Sequence, residues 1–147
     1  MRFTYHAVVA LALAVASTLL TGTVAMAQQS AVPCSQAAAA CVDLSSKQAW
    51  LVQNGRVVYG PTPITAGKRS AKTPAGWFKV LWKDKNHRSS AFNNAPMPYS
   101  VFFTSTGVAF HEGSLRRQSA GCIHLGHNAA VTFFKRLAVG QVVEVVN

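Results

Sequence analysis

The chain has 147 residues, of which 50% are hydrophobic and 12% are charged, and its formal net charge is +10 at pH 7. This length suffices for one folded domain with a real core but not for two. The apolar composition excludes an intrinsically disordered chain. The excess of Lys and Arg favours an acidic partner such as nucleic acid, anionic lipid or an acidic wall polymer. Because the cations are scattered, an ordinary positively charged surface fits the composition equally well.

Residues 1–27 have the pattern of a secretory signal peptide. Arg2 and His6 precede an apolar run from Ala7 to Leu20, and Ala25-Met26-Ala27 supplies the small residues that a signal peptidase needs. The apolar run is shorter than the ~20 residues of a membrane span, which favours cleavage over a retained anchor. We therefore expect a monomeric protein exported to the periplasm, the cell wall or the medium. Export argues against nucleic acid as its partner.

The chain contains three cysteines, an odd number for a protein of an oxidising compartment. Cys34 and Cys41 are seven positions apart, and a disulfide between them would close a small loop. It would tie an exposed, alanine-rich arm at residues 28–40 to the first strand of a domain at residues 41–147. Cys122 is then left over, either as a buried inert thiol or as a reactive one.

Short apolar runs separated by turn residues predict a succession of strands. Asn54-Gly55 predicts a two-residue hairpin, because both of its positions favour positive φ. Gly60 to Pro63 predicts a bend. The predicted strands are Val42–Leu44, Ala49–Val52, Arg56–Tyr59, Ile64–Ala66, Trp77–Trp82, Ser100–Phe103, Val108–Phe110 and Val142–Val146.

Two further segments complete the predicted fold. The polar stretch from Lys83 to Asn94 is interpreted as a long surface loop, of the kind that often covers a site. Asn128 is predicted to cap a helix that ends at Gly140 and has one apolar face. The residues of that face are Val131, Phe134, Leu137 and Ala138. Together the elements predict a mainly β, antiparallel sandwich or barrel with one α-helix near the C-terminus.

The segment from His111 to Leu125 contains the candidate catalytic residues. His111 ends a predicted apolar strand, and Cys122 follows a short basic loop and the small residues Ser119-Ala120-Gly121. A nearby imidazole can lower the pKa of a thiol and so generate the nucleophilic thiolate. The pattern predicts Cys122 as a nucleophile and His111 as the base that activates it. The backbone N–H groups of Gly121 and Cys122 are candidates for an oxyanion hole.

These residues resemble the active-site motif of the L,D-transpeptidase catalytic domain family, the YkuD-like family. There a histidine and a loop precede Ser/Thr-His-Gly-Cys, an apolar residue, and Arg or Asn. Here Ala120 stands in place of the motif histidine, His124 in place of Arg or Asn, and the loop is shorter than in many members. Thr73-Pro74-Ala75-Gly76-Trp77-Phe78 is similar to the family's Thr-Pro-x-Gly-x-Phe. The resemblance extends from about Cys41 to Val146.

The resemblance implies the β-sandwich-like fold of this family and a peptide stem of bacterial peptidoglycan as substrate. Cys122 would attack the carbonyl of the diamino acid at stem position three, release the terminal D-alanine and form a thioester. A side-chain amine of a neighbouring stem would then take the acyl group, which links two third residues. No cofactor and no metal are expected.

The resemblance also implies that the backbone carbonyl of Glu112 orients His111. The Glu112 carboxylate should face away from the His111 ring, because neighbouring side chains on a strand point to opposite faces. Tyr99, Ser119 and His124 are candidate substrate contacts. Core packing is the alternative for Tyr99, and an ordinary surface or core histidine is the alternative for His124.

Other classes of function stay open at this stage. A papain-like or wall-amidase hydrolase would place the cysteine before the histidine, opposite to the order here. A zinc site could use His111, Cys122, His124 and His127, although the usual paired spacing is missing. A non-catalytic wall-binding protein would need only the positive charge. Within the family, water as acceptor would make the protein an L,D-carboxypeptidase.

Overall fold

The computed structural model describes residues 32–147, so the predicted signal peptide and the start of the arm lie outside the described residues. Within this part, nine strands and one helix form, which confirms the predicted mainly β fold. None of its helical residues forms a segment long and apolar enough to cross a bilayer. The elements are β1 Ala40–Asp43, β2 Gln48–Gln53, β3 Arg56–Thr65, β4 Gly76–Lys79, β5 Trp82–Ser89, β6 Ala95–Phe102, β7 Ala109–Glu112, β8 Ile123–Leu125, α1 His127–Arg136 and β9 Val142–Val146.

The strands form one sheet in the order β4-β9-β1-β2-β3-β8-β7-β6-β5. The pairs β1–β9 and β7–β8 are parallel, and the other pairs are antiparallel. The two edge strands, β4 and β5, are consecutive in the chain. Between them, Val80 N–H donates to the Gln141 carbonyl and Leu81 N–H donates to the Phe102 carbonyl, both at 2.8 Å. The sheet therefore curls until its edges meet, as in a barrel.

The core lies between the curled sheet and α1. Phe133 of the helix is fully buried, with its ring 5.1 Å from that of Phe110 and 6.1 Å from that of Tyr59. The other buried helical residues are Ala129 and Ala130, whose small side chains let the helix approach the sheet closely. The helix thus rests directly on the strands that carry the predicted site.

The structure corrects the predicted helix. The cap residue is Gly126 rather than Asn128, and the helix ends at Arg136, ahead of the turn that contains Gly140. Val131 and Phe134 are only partly buried, whereas Leu137 is buried. The prediction used the spacing of bulky apolar residues, whereas two of the three buried residues of the helix are alanines, Ala129 and Ala130.

Three other predicted segments also differ from the structure. Residues 83–89 of the predicted loop instead lie in β5, which pairs with β6 from Trp82↔Phe102 to Ser89↔Ala95, and only residues 90–94 form a turn. An edge strand with a solvated face needs few apolar side chains, which explains the missing signal. The bend predicted at Gly60 to Pro63 lies inside the continuous strand β3, and the strand predicted over 77–82 is divided between β4 and β5.

Two local predictions are confirmed. Asn54 and Gly55 have φ of 51° and 71° in the turn between β2 and β3. Cys34 and Cys41 form a disulfide. The end of the arm is less exposed than predicted, because Ala38 is 2% exposed and Ala40, the first residue of β1, is fully buried.

Candidate active site

His111 lies on β7 and Cys122 lies just before the adjacent strand β8, and both side chains line the same cleft. In the parallel pair β7–β8, His111 lies opposite His124, and Cys122 immediately precedes β8. Both residues line a cleft of 580 Å³. The β5–β6 hairpin contributes the apolar side chains of Phe92 and Met97 to its lining. The segment predicted as a covering loop is therefore a hairpin beside the site.

The turn before Cys122 is held by hydroxyl groups. Ser119 Oγ accepts the Gly121 N–H at 3.0 Å and donates to the Cys122 carbonyl at 2.5 Å. Thr73 Oγ1 donates to the Gly121 carbonyl at 2.8 Å and accepts the Gly67 N–H at 2.9 Å. Gly121 has φ of +126°, a conformation that side chains disfavour.

This geometry changes two of the predicted roles. The Gly121 N–H is already bonded to Ser119 Oγ, so it is not free to serve an oxyanion. The Ser119 hydroxyl is used within the turn rather than for a substrate, and the residue is only 7% exposed. Outside the strand ladders, no hydrogen bond of residues 32–147 uses the Cys122 N–H, and Cys122 lies just before β8, so this N–H stays a candidate oxyanion donor.

His111 is buried, with 6% of its surface exposed. Its Nδ1 lies 2.8 Å from the Glu112 carbonyl oxygen, and since a carbonyl only accepts, Nδ1 carries the proton. Nε2 is then left with its lone pair. Burial lowers the pKa of His111 to about 4, against the opposing effect of the Glu112 carbonyl, and electrostatic interaction with the His124 and His87 imidazoles lowers it further. The imidazole is therefore a neutral base at physiological pH.

Cys122 is also neutral in this conformation. Burial raises the pKa of its thiol, and the opposing effect of the Ala109 backbone N–H is smaller. The side chain packs against the apolar cluster of Met97, Phe102 and Ala109, and its Sγ lies 3.8 Å from the Gly107 carbonyl oxygen. The predicted lowering of the thiol pKa is thus wrong. No hydrogen bond joins Cys122 to His111 among the described residues, and the apolar wall decides the charge state.

His124 lies next to His111. Their ring centroids are 4.9 Å apart in an edge-to-face arrangement. His124 Nδ1 is 3.1 Å from both Thr65 Oγ1 and the Ser114 carbonyl oxygen, which fixes the ring at the cleft wall. Gly113 is required beside it, because a Cβ there would lie 2.6 Å from the His124 ring.

Two other candidate residues, Tyr99 and His127, lie outside the cleft. Tyr99 packs on α1, with its ring 5.8 Å from those of His127 and Phe134, and does not line the cleft. The Glu112 carboxylate, predicted to face away from the His111 ring, pairs with His127 at 2.9 Å. His127 does not line the cleft that holds the other three residues of the zinc alternative. Within residues 32–147, no three His, Cys, Asp or Glu side chains are grouped so that they could hold a metal ion.

Sequence reasoning missed the role of Thr73. This residue was noted only within a family motif, yet it is 6% exposed and its hydroxyl connects its own loop to Gly121, 48 residues away. The signal available was the family's Thr-Pro motif, which says nothing about the partner of the hydroxyl.

The model of the YkuD family, the L,D-transpeptidase catalytic domain, matches residues 37–145. The chain belongs to this family. The match includes both His111 and Cys122, and it confirms the resemblance noted in the sequence. A comparison with curated proteins gives no match.

Solved L,D-transpeptidases share the fold. One from Stackebrandtia nassauensis is similar with a TM-score of 0.69 and 26% identity, over 74% of this chain and 54% of that chain. L,D-transpeptidase 1 of Mycobacterium tuberculosis is similar with a TM-score of 0.65 and 28% identity, over 74% and 60%. An L,D-transpeptidase in complex with imipenem is similar with a TM-score of 0.67 and 27% identity, over 73% and 57%. The chain thus spans less than two thirds of these structures.

Proposed function

We propose that this protein is an exported cysteine L,D-transpeptidase that acts on peptidoglycan stem peptides. Cys122 would form a thioester with the third residue of a donor stem and release the terminal D-alanine. The amine of a neighbouring third-position diamino acid would then receive the acyl group. The observation that carries the proposal is that His111 and Cys122 line one cleft within a chain of this family.

The protonation states of His111 and Cys122 support general-base activation of a neutral thiol. His111 Nε2 has a free lone pair, because Nδ1 donates to the Glu112 carbonyl. The Cys122 proton would pass to Nε2 as Sγ bonds to the substrate carbonyl carbon. The same proton would return to the leaving amine when the carbon–nitrogen bond breaks, which restores the neutral imidazole. In this role, the Glu112 carbonyl orients the ring.

The developing oxyanion needs a donor in the cleft. The Cys122 N–H is our candidate, since the Gly121 N–H is engaged by Ser119 Oγ. A single well-placed donor of this kind contributes about 3 kcal/mol to the transition state in comparable sites. The turn held by Ser119 and Thr73 keeps this N–H in place before the substrate binds.

Export is supported by two features. Residues 1–27 have the pattern of a secretory signal, and Cys34 and Cys41 are joined by a disulfide, which persists in oxidising compartments. The net positive charge suits an acidic wall substrate. A monomer in the periplasm or cell wall is the state that we propose.

The test is acylation of Cys122 by a carbapenem. Solved family members include one in complex with imipenem and one with a faropenem-derived adduct. We expect one covalent adduct by intact-protein mass on the mature chain and none on Cys122→Ala. A folded, reduced wild-type protein that forms no adduct would refute the assigned nucleophile and favour a non-catalytic wall-binding protein.

The acceptor is tested separately with a stem tetrapeptide donor. Mass spectrometry distinguishes a cross-linked dimer, formed when an amine takes the acyl group, from the tripeptide that water would release. Dimer as the main product supports the transpeptidase. Tripeptide alone, in the presence of millimolar acceptor, would make the protein an L,D-carboxypeptidase.

A further inference from the structure

The cationic surface of this protein is not neutralised by its own acids. The only ion pairs among residues 32–147 join His87 to Asp84 and His127 to Glu112. The other two acids accept backbone or hydroxyl hydrogens: Asp43 holds Ser45 and Ser46, and Glu144 holds the Ser35 N–H. Every Lys and Arg of the described chain therefore lacks an acidic partner.

Three of these cations line one pocket. Lys47, Arg69 and Lys72 line part of a cavity of 360 Å³, and Gln118 and Asn147 also contribute to its wall. Gln118 also lines the cleft of Cys122, so the two cavities adjoin across the segment that leads into the nucleophile turn. The two cavities therefore share one wall residue beside the nucleophile turn.

The loop at residues 67–73 that carries two of these cations is rigidly built. Its ends are joined by the hydrogen bond from Gly67 N–H to Thr73 Oγ1, and Ala71 N–H donates to the Lys68 carbonyl at 2.9 Å. A Cβ at Gly67 would collide with the Ala71 carbonyl oxygen, so the closed loop requires glycine.

The same loop is fastened to the nucleophile turn. Lys68 N–H donates to the Ser119 carbonyl at 3.0 Å, and Ser119 N–H donates to the Ala66 carbonyl at 3.0 Å. Thr73 Oγ1 adds the bond to the Gly121 carbonyl. The backbone of the loop is therefore held at a set position relative to the nucleophile turn, and the exposed side chains of Arg69 and Lys72 extend from this fixed base.

We propose that this pocket binds a carboxylate of the acyl-donor peptide and so selects donors with a free acid over their amides. The inference rests on the proposed function and names a recognition element for it. A discrete cavity beside the cleft fits a single anionic group on a substrate that is anchored at Cys122. A long polyanion would instead need cations in a continuous stripe.

The test compares two charge-matched triple variants. The first, Lys47→Gln/Arg69→Gln/Lys72→Gln, removes the pocket cations. The control, Arg56→Gln/Lys79→Gln/Lys135→Gln, replaces the same number of exposed lysines and arginines at positions that line neither cavity.

The substrates are a stem tetrapeptide with free internal carboxylates and the same peptide with these groups converted to carboxamides. Wild type and the control variant should prefer the free acid by about tenfold in kcat/KM, since each exposed cation contributes modestly. The pocket variant should lose this preference and keep its kcat/KM for the amide within about twofold. The preference in wild type should also shrink as salt rises from 50 to 500 mM.

Two results would refute the proposed role of the pocket. One is equal use of both peptides by wild type, and the other is an equal loss of the free-acid preference in both triple variants. The latter would indicate general attraction by the net charge. Failure of the proposed function is distinguishable, because calorimetric binding of both peptides to Cys122→Ala needs no catalysis. If wild type turns over neither peptide, a free-acid preference in this binding that the pocket substitutions abolish supports the pocket, and its absence refutes it.

Discussion

The buried imidazole of His111 should make the protein lose stability in mild acid. Burial lowers the pKa of His111 from 6.5 to about 4. Because the folded value lies below the unfolded one, the unfolded chain binds the proton first as the pH falls. The contribution of His111 is therefore fully present above pH 6.5, and it is lost as the pH falls through about 4.

The size of this effect follows from the difference between the two pKa values. It corresponds to about 3 kcal/mol in total, of which about 2 kcal/mol is lost between pH 7 and pH 4.5. His111→Asn removes the titrating ring and can retain an N–H donor for the Glu112 carbonyl. The acid-induced changes of all other groups are shared by the variant and cancel in the comparison.

The measurement is the free energy of unfolding from urea titrations at pH 7 and pH 4.5, for wild type and His111→Asn. Wild type should lose about 2 kcal/mol more than the variant over this interval. Equal losses would refute the buried neutral imidazole. The carbapenem acylation rate of wild type gives a second readout. It should stay level down to about pH 5, because the base remains unprotonated there.

Two further substitutions test the packing around the site. Gly113→Ala should slow acylation by at least about tenfold and cost ~1–3 kcal/mol of stability, since its Cβ would lie 2.6 Å from the His124 ring. Gly126→Ala is the control, because its Cβ would meet a single side-chain atom at 3.7 Å, and equal acylation by the two variants would contradict this packing. Replacing both Cys34 and Cys41 with serine should lower the free energy of unfolding by ~2.5 kcal/mol in urea titration, because the closed loop is short. The acylation rate of that folded variant should not change, and its loss would show that the disulfide supports the cleft.

The residues of the cleft could be predicted wherever the signal was local. His111 and Cys122 were identified from a histidine, a short loop and a small-residue turn, and the structure brings both to one cleft. Asn54-Gly55 formed the predicted hairpin because positive φ is a property of these residue types. The β5–β6 hairpin could not be predicted from its polar residues, because backbone pairing between the two strands orders it and local backbone bonds such as Asn94 N–H to the Ser89 carbonyl close its tip.

Predictions failed where the outcome depends on neighbours that are far apart in the chain. The charge state of Cys122 was predicted from one nearby imidazole, whereas Met97, Phe102 and Ala109 exclude the water that a thiolate needs. For Tyr99, which precedes the aromatic strand, the sequence left substrate contact and core packing both open, and only the contact of its ring with Phe134 of α1 decided for packing.

By itself, the sequence determined the chemistry available to this protein: one unpaired cysteine, a histidine ahead of it, a disulfide pair and the order of the family's motifs. These are properties of residue types and of short spacings, so they survive without a fold. Only the tertiary structure decided which N–H is free, which nitrogen of His111 carries the proton, and which three cations meet beside the cleft. Those outcomes depend on contacts such as that between Thr73 and Gly121, 48 residues apart, and on the exclusion of water that such contacts produce.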